Sequence, residues 1–254
     1  EIELYEAIVG KETWILSKEA IEKLKYQRED IKEVGKTKEK LIGKYVIAPA
    51  IQKEIIILPS RFVDADVGTG IVTSVPSDAP YDYIALKELQ NNEKEMKKYG
   101  LNLSEIRKIK IIPIIKTEKY GNEAGVKTVE DAKIMKQDDS RLDKLTQEVY
   151  KEGFHTGILL DVCGQYSGMK VIEAKEKMKQ DMLKNKEASI IYETSRKAFS
   201  RGGGKIVVAV LDNQWFIDFN ARGWKEKAYE CLRKIELLPE TMRKQFEDTF
   251  AWLD

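Results

Sequence analysis

Residues 68–83, GTGIVTSVPSDAPYDY, gather the side chains whose types and spacing are best suited to chemistry. Gly68-Thr69-Gly70 invites a phosphate-binding reading. The dinucleotide fingerprint, however, needs a third glycine and a helix directly after it, and residues 71–75 here read as a strand. Gly204-Lys205 is no P-loop either, because Ile206 follows where Ser or Thr is required to reach a metal. Ser77, Asp78 and Asp82 then place a hydroxyl and two carboxylates around Pro76 and Pro80. That is also how a helix starts. Ser77 or Asp78 can cap it, Pro80 suits its first turn, and an acid there contributes about 0.3–1 kcal/mol through the helix dipole. On chemistry alone Asp82 is either a helix-start residue or a site carboxylate, and the first use is much the commoner.

The remaining reactive side chains point to no second centre. His155 is the single histidine and reads as a surface or loop residue. Cys163, in the glycine-rich turn at 162–168, reads as a small packed residue rather than a nucleophile. Cys163 and Cys231 are far apart in sequence and cannot build a zinc site with one histidine. Neither a metal nor a cofactor is expected.

The elements that must position these groups can be read from periodicity. Residues 3–9 alternate toward Gly10-Lys11 and residues 13–16 follow, which predicts a hairpin. Ser17 can cap a short helix through Leu24. Short β-branched runs at 45–48, 54–58 and 70–75 suggest a barrel or mixed sheet. A helix is expected after Pro76, with Tyr81, Ile84, Ala85, Leu89 and Met96 on one stripe and Gly100 at its C-terminal side. Further strands are expected at 111–115, with Pro113 marking an edge or bulge, and at 190–192, 205–211 and 214–219. Helices are expected at 129–135, at 141–151 with a stop at Gly153, and at 171–183. Two more, 224–235 and 240–253, flank Leu237-Leu238-Pro239, and the second ends in Phe246, Phe250 and Trp252.

Composition narrows the setting without deciding the function. The 254 residues suffice for one large domain, or one domain with an appendage. Charged residues make up 34%, a bias suited to high temperature, where ion-pair networks cost less. The 44 basic and 43 acidic side chains are interspersed, so net charge neither demands nor excludes a nucleic acid; local patches would carry phosphate binding. No run approaches eighteen apolar residues and no signal peptide opens the sequence, which suits a cytoplasmic location with no membrane partner.

Residues 68–83 resemble the editing-pocket motif of the leucine, isoleucine and valine class I aminoacyl-tRNA synthetases: a GTG turn, a strand, a proline corner and a helix bearing an acid. The isoleucine and valine enzymes carry a histidine after the strand and an AP corner. Thr73-Ser74-Val75-Pro76-Ser77-Asp78 is similar instead to the archaeal and eukaryotic leucine branch. Residues 14–27 (WILSKEAIEKLKYQ), 153–160 (GFHTGILL), 168–175 (GMKVIEAK), 212–219 (DNQWFIDF) and 238–254 resemble the same branch, so the likeness covers nearly the whole chain.

The resemblance implies an α+β fold: a small β-barrel editing domain with peripheral helices over residues 1–220, and a C-terminal helical junction at 221–254 leading back to a synthetic domain. It implies hydrolysis of the ester that joins a noncognate amino acid to the 3′ end of leucine tRNA. By position, Asp82 matches the acid that anchors the α-amino group of the misattached amino acid. Gly68, Thr69 and Gly70 match the turn lining the terminal adenosine and aminoacyl group, Thr73 and Val75 border the substrate, and Ser77 belongs to the same wall. Asp78 stands where bacterial relatives have histidine. The implied partners are the mischarged tRNA end and the synthetic domain of the same enzyme.

Two departures matter. The family's threonine-rich segment with an RPET-like core has no counterpart in the sequence, and the resemblance places it just upstream of Glu1. Signatures for ATP-dependent activation of an amino acid are absent as well. The chain therefore reads as a fragment carrying half a pocket, and a non-catalytic module that positions tRNA or docks the synthetic domain is the alternative.

Overall fold

The structure is a computed structural model and describes residues 2–38, 40–48, 51–219 and 221–253; the expected domain limits at 1, 220 and 254 lie outside these. Two compact units are present, Glu1–Val210 and Leu211–Asp254. The expected junction at residue 221 falls inside the second.

In the first unit the N-terminal alternation folds as expected. Strands β1 (Leu4–Val9) and β2 (Glu12–Ser17) pair antiparallel from Leu4–Ser17 to Val9–Glu12, and Gly10 turns between them at a φ of +59°. An unexpected strand, β3 (Ile31–Lys36), pairs on the other edge of β1 with a register shift between Glu6 and Ala7. Ser17 ends β2 and caps α1 (Lys18–Leu24), its Oγ accepting the Ala20 N–H at 3.1 Å. Ala7, Val9, Leu16, Ala20, Ile21 and Leu24 form the core between sheet and helix. Strands β4 (Tyr45–Ala48) and β5 (Lys53–Ile56) make a separate antiparallel pair.

Helix α2 (Pro80–Asn91) starts on Pro80, whose fixed φ and missing N–H suit the first turn. The expected cap by Ser77 or Asp78 does not form. Ala79 holds that place without a side-chain bond, because both expected caps are engaged in the interior. The stripe predicted to run on to Gly100 breaks at Asn92, whose side chain accepts the Glu95 N–H and caps α3 (Glu93–Tyr99). Gly100 ends α3 at a φ of +67°, the left-handed conformation that glycine adopts without cost. A short unpredicted helix, α4 (Leu103–Arg107), is capped by Asn102. Leu89, Met96, Leu101 and Ile106 are buried together at this end of α2.

Helix α5 (Ala124–Asp131) begins earlier than expected, and α6 (Leu142–Thr156) runs through Gly153. Burial of Leu142, Thr146 and Val149 outweighs the roughly 1 kcal/mol that a helical glycine costs. Tyr83, Ile84, Val129, Ile134 and Leu142 join α2, α5 and α6 in a second core. Of the run at 111–115 only Ile115 enters a ladder, in β6 (Ile115–Lys116), which pairs with β7 (Ile158–Leu159); Pro113 has no N–H to give. Helix α7 (Val171–Lys184) follows a 3-10 turn at Asp161–Tyr166.

In the second unit, α8 (Trp224–Lys234) and α9 (Met242–Trp252) occupy the expected positions. Phe250 stacks edge-on against Trp224 and Tyr229, at centroid distances of 6.4 and 5.4 Å, whereas Trp252 remains 86% exposed.

The architecture is α+β, but among the described residues the strands form three small antiparallel sheets and no closed barrel. The runs expected as strands at 70–75, 190–192, 205–211 and 214–219 join no ladder among the described residues, apart from a single bridge between Phe199 and Lys205.

Candidate functional site

The GTG turn is built on the junction of β2 and α1. Ser17 donates its backbone N–H to the Thr69 carbonyl at 2.8 Å and its Oγ to the Ala65 carbonyl at 2.6 Å. Ser17 is fully buried, so one hydroxyl caps a helix and also fixes the loop above it. Gly70 lies against this serine at a φ of +74°, and a Cβ there would stand 2.7 Å from Ser17 Cβ. Only glycine fits. Ahead of the turn, Asp64 pairs with Lys197 at 2.9 Å, and Asp66 pairs with Lys205. The Asp66 backbone N–H and then Lys197 hold the Asp64 carboxyl below its ordinary pKa.

Residues 71–74 leave the turn exposed and without regular secondary structure, so Thr73 faces solvent. Val75 then closes a corner, its carbonyl accepting the N–H groups of Asp78 at 3.0 Å and Ala79 at 2.9 Å. Asp82, in the first turn of α2, reaches back to this corner and accepts the Val75 N–H on Oδ2 at 2.6 Å. This is the logic of a capping box, directed at a residue farther upstream than usual. Asp82 is buried, and burial raises its pKa above the ordinary carboxylate value; the bonds from Val75 N–H and the Ser74 hydroxyl work the other way. From α6 the Tyr150 phenol is in turn held above its ordinary pKa, by desolvation and then by the Asp82 charge.

Ser77 and Asp78 turn inward instead. Ser77 Oγ lies 3.0 Å from the Ile112 carbonyl and 2.5 Å from Asp78 Oδ2. A hydroxyl has one proton for these two acceptors. Both contacts are satisfied when Asp78 is neutral, donating to Ser77 while Ser77 donates to Ile112. Burial pushes the Asp78 carboxyl up to about 6; Ser77 and the N–H groups of Ile114 and Ile115 offset part of that, though Oδ1 itself makes no hydrogen bond. Cys163 lies on the same inner side, its thiol raised by burial and then by Asp78, and donates to the Ile114 carbonyl at 3.7 Å. The Ser77 carbonyl accepts the Gly125 N–H at 2.8 Å. A Cβ on Gly125 would meet the Ala79 backbone nitrogen at 2.8 Å, so glycine is what lets α5 approach the corner.

The structure thus joins Gly68, Thr69 and Gly70 through the open run at Thr73 to Val75 and Asp82, and it sets Ser77 and Asp78 behind that surface. Sequence reasoning missed Gly125 and Tyr150, and it saw Ser17 only as a cap. His155 is exposed at the end of α6 and Cys163 is packed inside, as read from the sequence. A groove of about 480 Å³ bordered by Tyr5, Lys18, Pro59, Arg61 and Tyr99 contains none of the predicted site residues. Among the described residues no cluster of His, Cys, Asp and Glu could hold a metal, and no helix is long and apolar enough to cross a membrane.

No family model matches the chain. Leucine--tRNA ligase of Archaeoglobus fulgidus is 40% identical over 256 residues, covering 97% of this chain and 27% of that protein. The Pyrococcus horikoshii leucine--tRNA ligase is 42% identical over 247 residues, covering 96% and 25%. The chain therefore spans about a quarter of the length of these curated relatives. Among solved structures, GlLeuRS-CP1 superposes with a TM-score of 0.66 at 28% identity, over 76% of this chain and 75% of that one. The Plasmodium knowlesi structure, given as P.knowlesi cytosolic leucyl-tRNA synthetase editing domain, shares the fold with a TM-score of 0.63 at 23% identity, over 73% and 75%. The α+β architecture accordingly resembles that of the leucyl-tRNA synthetase CP1 and editing-domain structures. Over nearly its whole length the chain is thus similar to a quarter-length segment of leucine--tRNA ligases, and its fold is similar to that of GlLeuRS-CP1.

Proposed function

We propose that this chain carries the post-transfer editing activity of a leucyl-tRNA synthetase: hydrolysis of the ester between a noncognate amino acid, such as isoleucine, methionine or norvaline, and the 3′ end of leucine tRNA. The observation that carries this reading is Asp82, a buried carboxylate fixed by Val75 N–H beside the exposed run 71–74 that leads from the GTG turn. In the proposed role Asp82 pairs with the substrate α-ammonium and holds the ester carbonyl in register for attack by water. No protein nucleophile is required. The enzyme contributes orientation, hydrogen bonds to the developing oxyanion, and exclusion of leucine. A second sieve is useful because one methylene gives only about 1–3 kcal/mol of discrimination in a synthetic site.

In the same reading the exposed run at 71–74 borders a small barrel, residues 221–254 lead to the synthetic domain, and the setting is the cytoplasm. The exposure of residues 71–74 beside a buried Asp82 favours a second reading, a non-catalytic module that positions tRNA or docks the synthetic domain.

Deacylation of Ile-tRNA(Leu) by the chain and by its Asp82→Asn variant separates them. Asparagine keeps an acceptor for Val75 and loses the charge. The expected result is hydrolysis by the wild type and a loss of about a hundredfold or more in the variant, with an unchanged circular dichroism spectrum. Equal rates would remove Asp82 from the anchor role. A wild type without activity would favour the second reading.

A further inference from the structure

Lys23 extends from α1 with its side chain only 9% exposed, where an unpaired ammonium would be strongly unfavourable. Its Nζ donates to the Asp66 carbonyl at 2.9 Å and to Glu193 Oε1. Glu193 faces the backbone as well. The Gly68 N–H donates to its carboxylate, 3.1 Å from Oε1 and 3.0 Å from Oε2. One carboxylate thus joins a buried cation to the first residue of the GTG turn.

The segment bearing Glu193 has no ladder of its own, so something else must aim it. Gln27, just beyond α1, accepts the Tyr192 N–H on Oε1 at 2.8 Å and donates from Nε2 to the Tyr192 carbonyl at 2.7 Å. A side-chain amide here takes the place of a neighbouring strand. The same Nε2 reaches the Val208 carbonyl at 3.2 Å, and Ile191 packs on the core of β1, β2 and α1. Helix α1 and the residues after it therefore supply both the cation that holds Glu193 and the clamp that delivers it. Around the turn Lys23, Lys197 and Lys205 face Asp64, Asp66 and Glu193, so the charges balance locally.

We propose that Glu193, held by Lys23, is a positioning residue of the editing site: it fixes Gly68, and through it the turn against which the tRNA 3′ end is placed. This rests on the editing reading above. Glu193 acts through Gly68 and touches no reacting atom. Its removal loosens the register of the 3′ end against Asp82 more than attachment of the tRNA, so the loss falls on kcat.

The test uses the full chain with Glu193→Ala and the double variant Lys23→Met/Glu193→Gln, which removes both charges of the pair and keeps an amide oxygen for Gly68. Hydrogen exchange at the Gly68 amide, melting temperature, and kcat and KM for Ile-tRNA(Leu) are measured together. Glu193→Ala is expected to speed Gly68 exchange at least about tenfold. It is expected to lower kcat about tenfold or more with KM within about threefold. The double variant is expected to recover Gly68 protection and to bring kcat within about threefold of wild type. Gly68 exchange as slow in a folded Glu193→Ala as in the wild type would overturn the proposal. So would a double variant protected at Gly68 yet as slow in deacylation as Glu193→Ala. A wild type that hydrolyses nothing but shows Glu193-dependent protection of Gly68 would overturn the editing reading and leave the clamp standing.

Discussion

Replacing Asp78 by asparagine should relieve the folded chain of a cost that rises with pH. Burial carries this carboxyl from 3.8 to about 6, so the native protein keeps its proton over a range in which the unfolded chain has already released it. The stability it contributes is complete below the unfolded value and is lost as pH climbs through about 6. At about 1.4 kcal/mol for each tenfold change in proton affinity, the ionised form costs the fold about 3 kcal/mol at neutral pH. Asparagine has no proton to lose, and its amide N–H can take the place of the acid O–H toward Ser77, leaving Ser77 to donate to Ile112. Urea unfolding of both proteins, from about pH 4 to about pH 8 at constant ionic strength, measures the difference. Near pH 4 the two should agree within about 1 kcal/mol, and by about pH 7.5 the variant should be the more stable by about 2–3 kcal/mol. Asp82 titrates in both proteins and drops out of the comparison. A difference that stays flat with pH, or one that increasingly favours the wild type as pH rises, refutes the reasoning.

Two further substitutions test how the corner and the turn are held. Ser17→Ala removes a helix cap and leaves the Ala65 carbonyl without its donor, so urea unfolding should show a loss of about 2 kcal/mol; a loss below about 0.5 kcal/mol would mean that water replaces both contacts. Gly125→Ala drives a methyl into the Ala79 backbone rather than into a flexible side chain, and should cost about 1–3 kcal/mol in the same measurement. A neutral result there would show that α5 can back away from the corner freely.

Where the causes are local, the sequence already contained them. The hairpin around Gly10, the Ser17 cap, the Gly100 terminus and α7 each follow from a periodicity or a cap a few residues long. The expected barrel had no such support, because alternation marks a run as extended without saying what its N–H groups will meet. Val75 N–H meets the Asp82 carboxylate, and Tyr192 N–H meets the Gln27 side chain, so neither run forms a ladder there. Ser77 and Asp78 have the composition of caps, yet the Ile112 carbonyl and the packing of α5 take their side chains inward. Sequence reasoning passes over Gly125 and expects the helix only from 129. In the fold its missing Cβ is why the helix can start where it does.

Asp82 was legible as two things at once, a helix-start acid and a ligand anchor, and the structure makes these less opposed than they look. At the surface an acid serving only the helix dipole contributes about 0.3–1 kcal/mol and meets no desolvation cost. Asp82 is instead buried, and burial raises its pKa, so its charge carries a penalty the dipole term does not cover. The donors it meets among the described residues, the Val75 N–H and the Ser74 hydroxyl, are neutral. Hydrogen bonds of this kind orient a carboxylate without neutralising it. A cation arriving along the exposed run at 71–74 would recover part of the desolvation cost, and the substrate proposed here brings one as its α-ammonium. In the proposed role the Val75 bond that shapes the corner would also fix where the ammonium sits, so the helix-start role would supply the rigidity that an anchor requires.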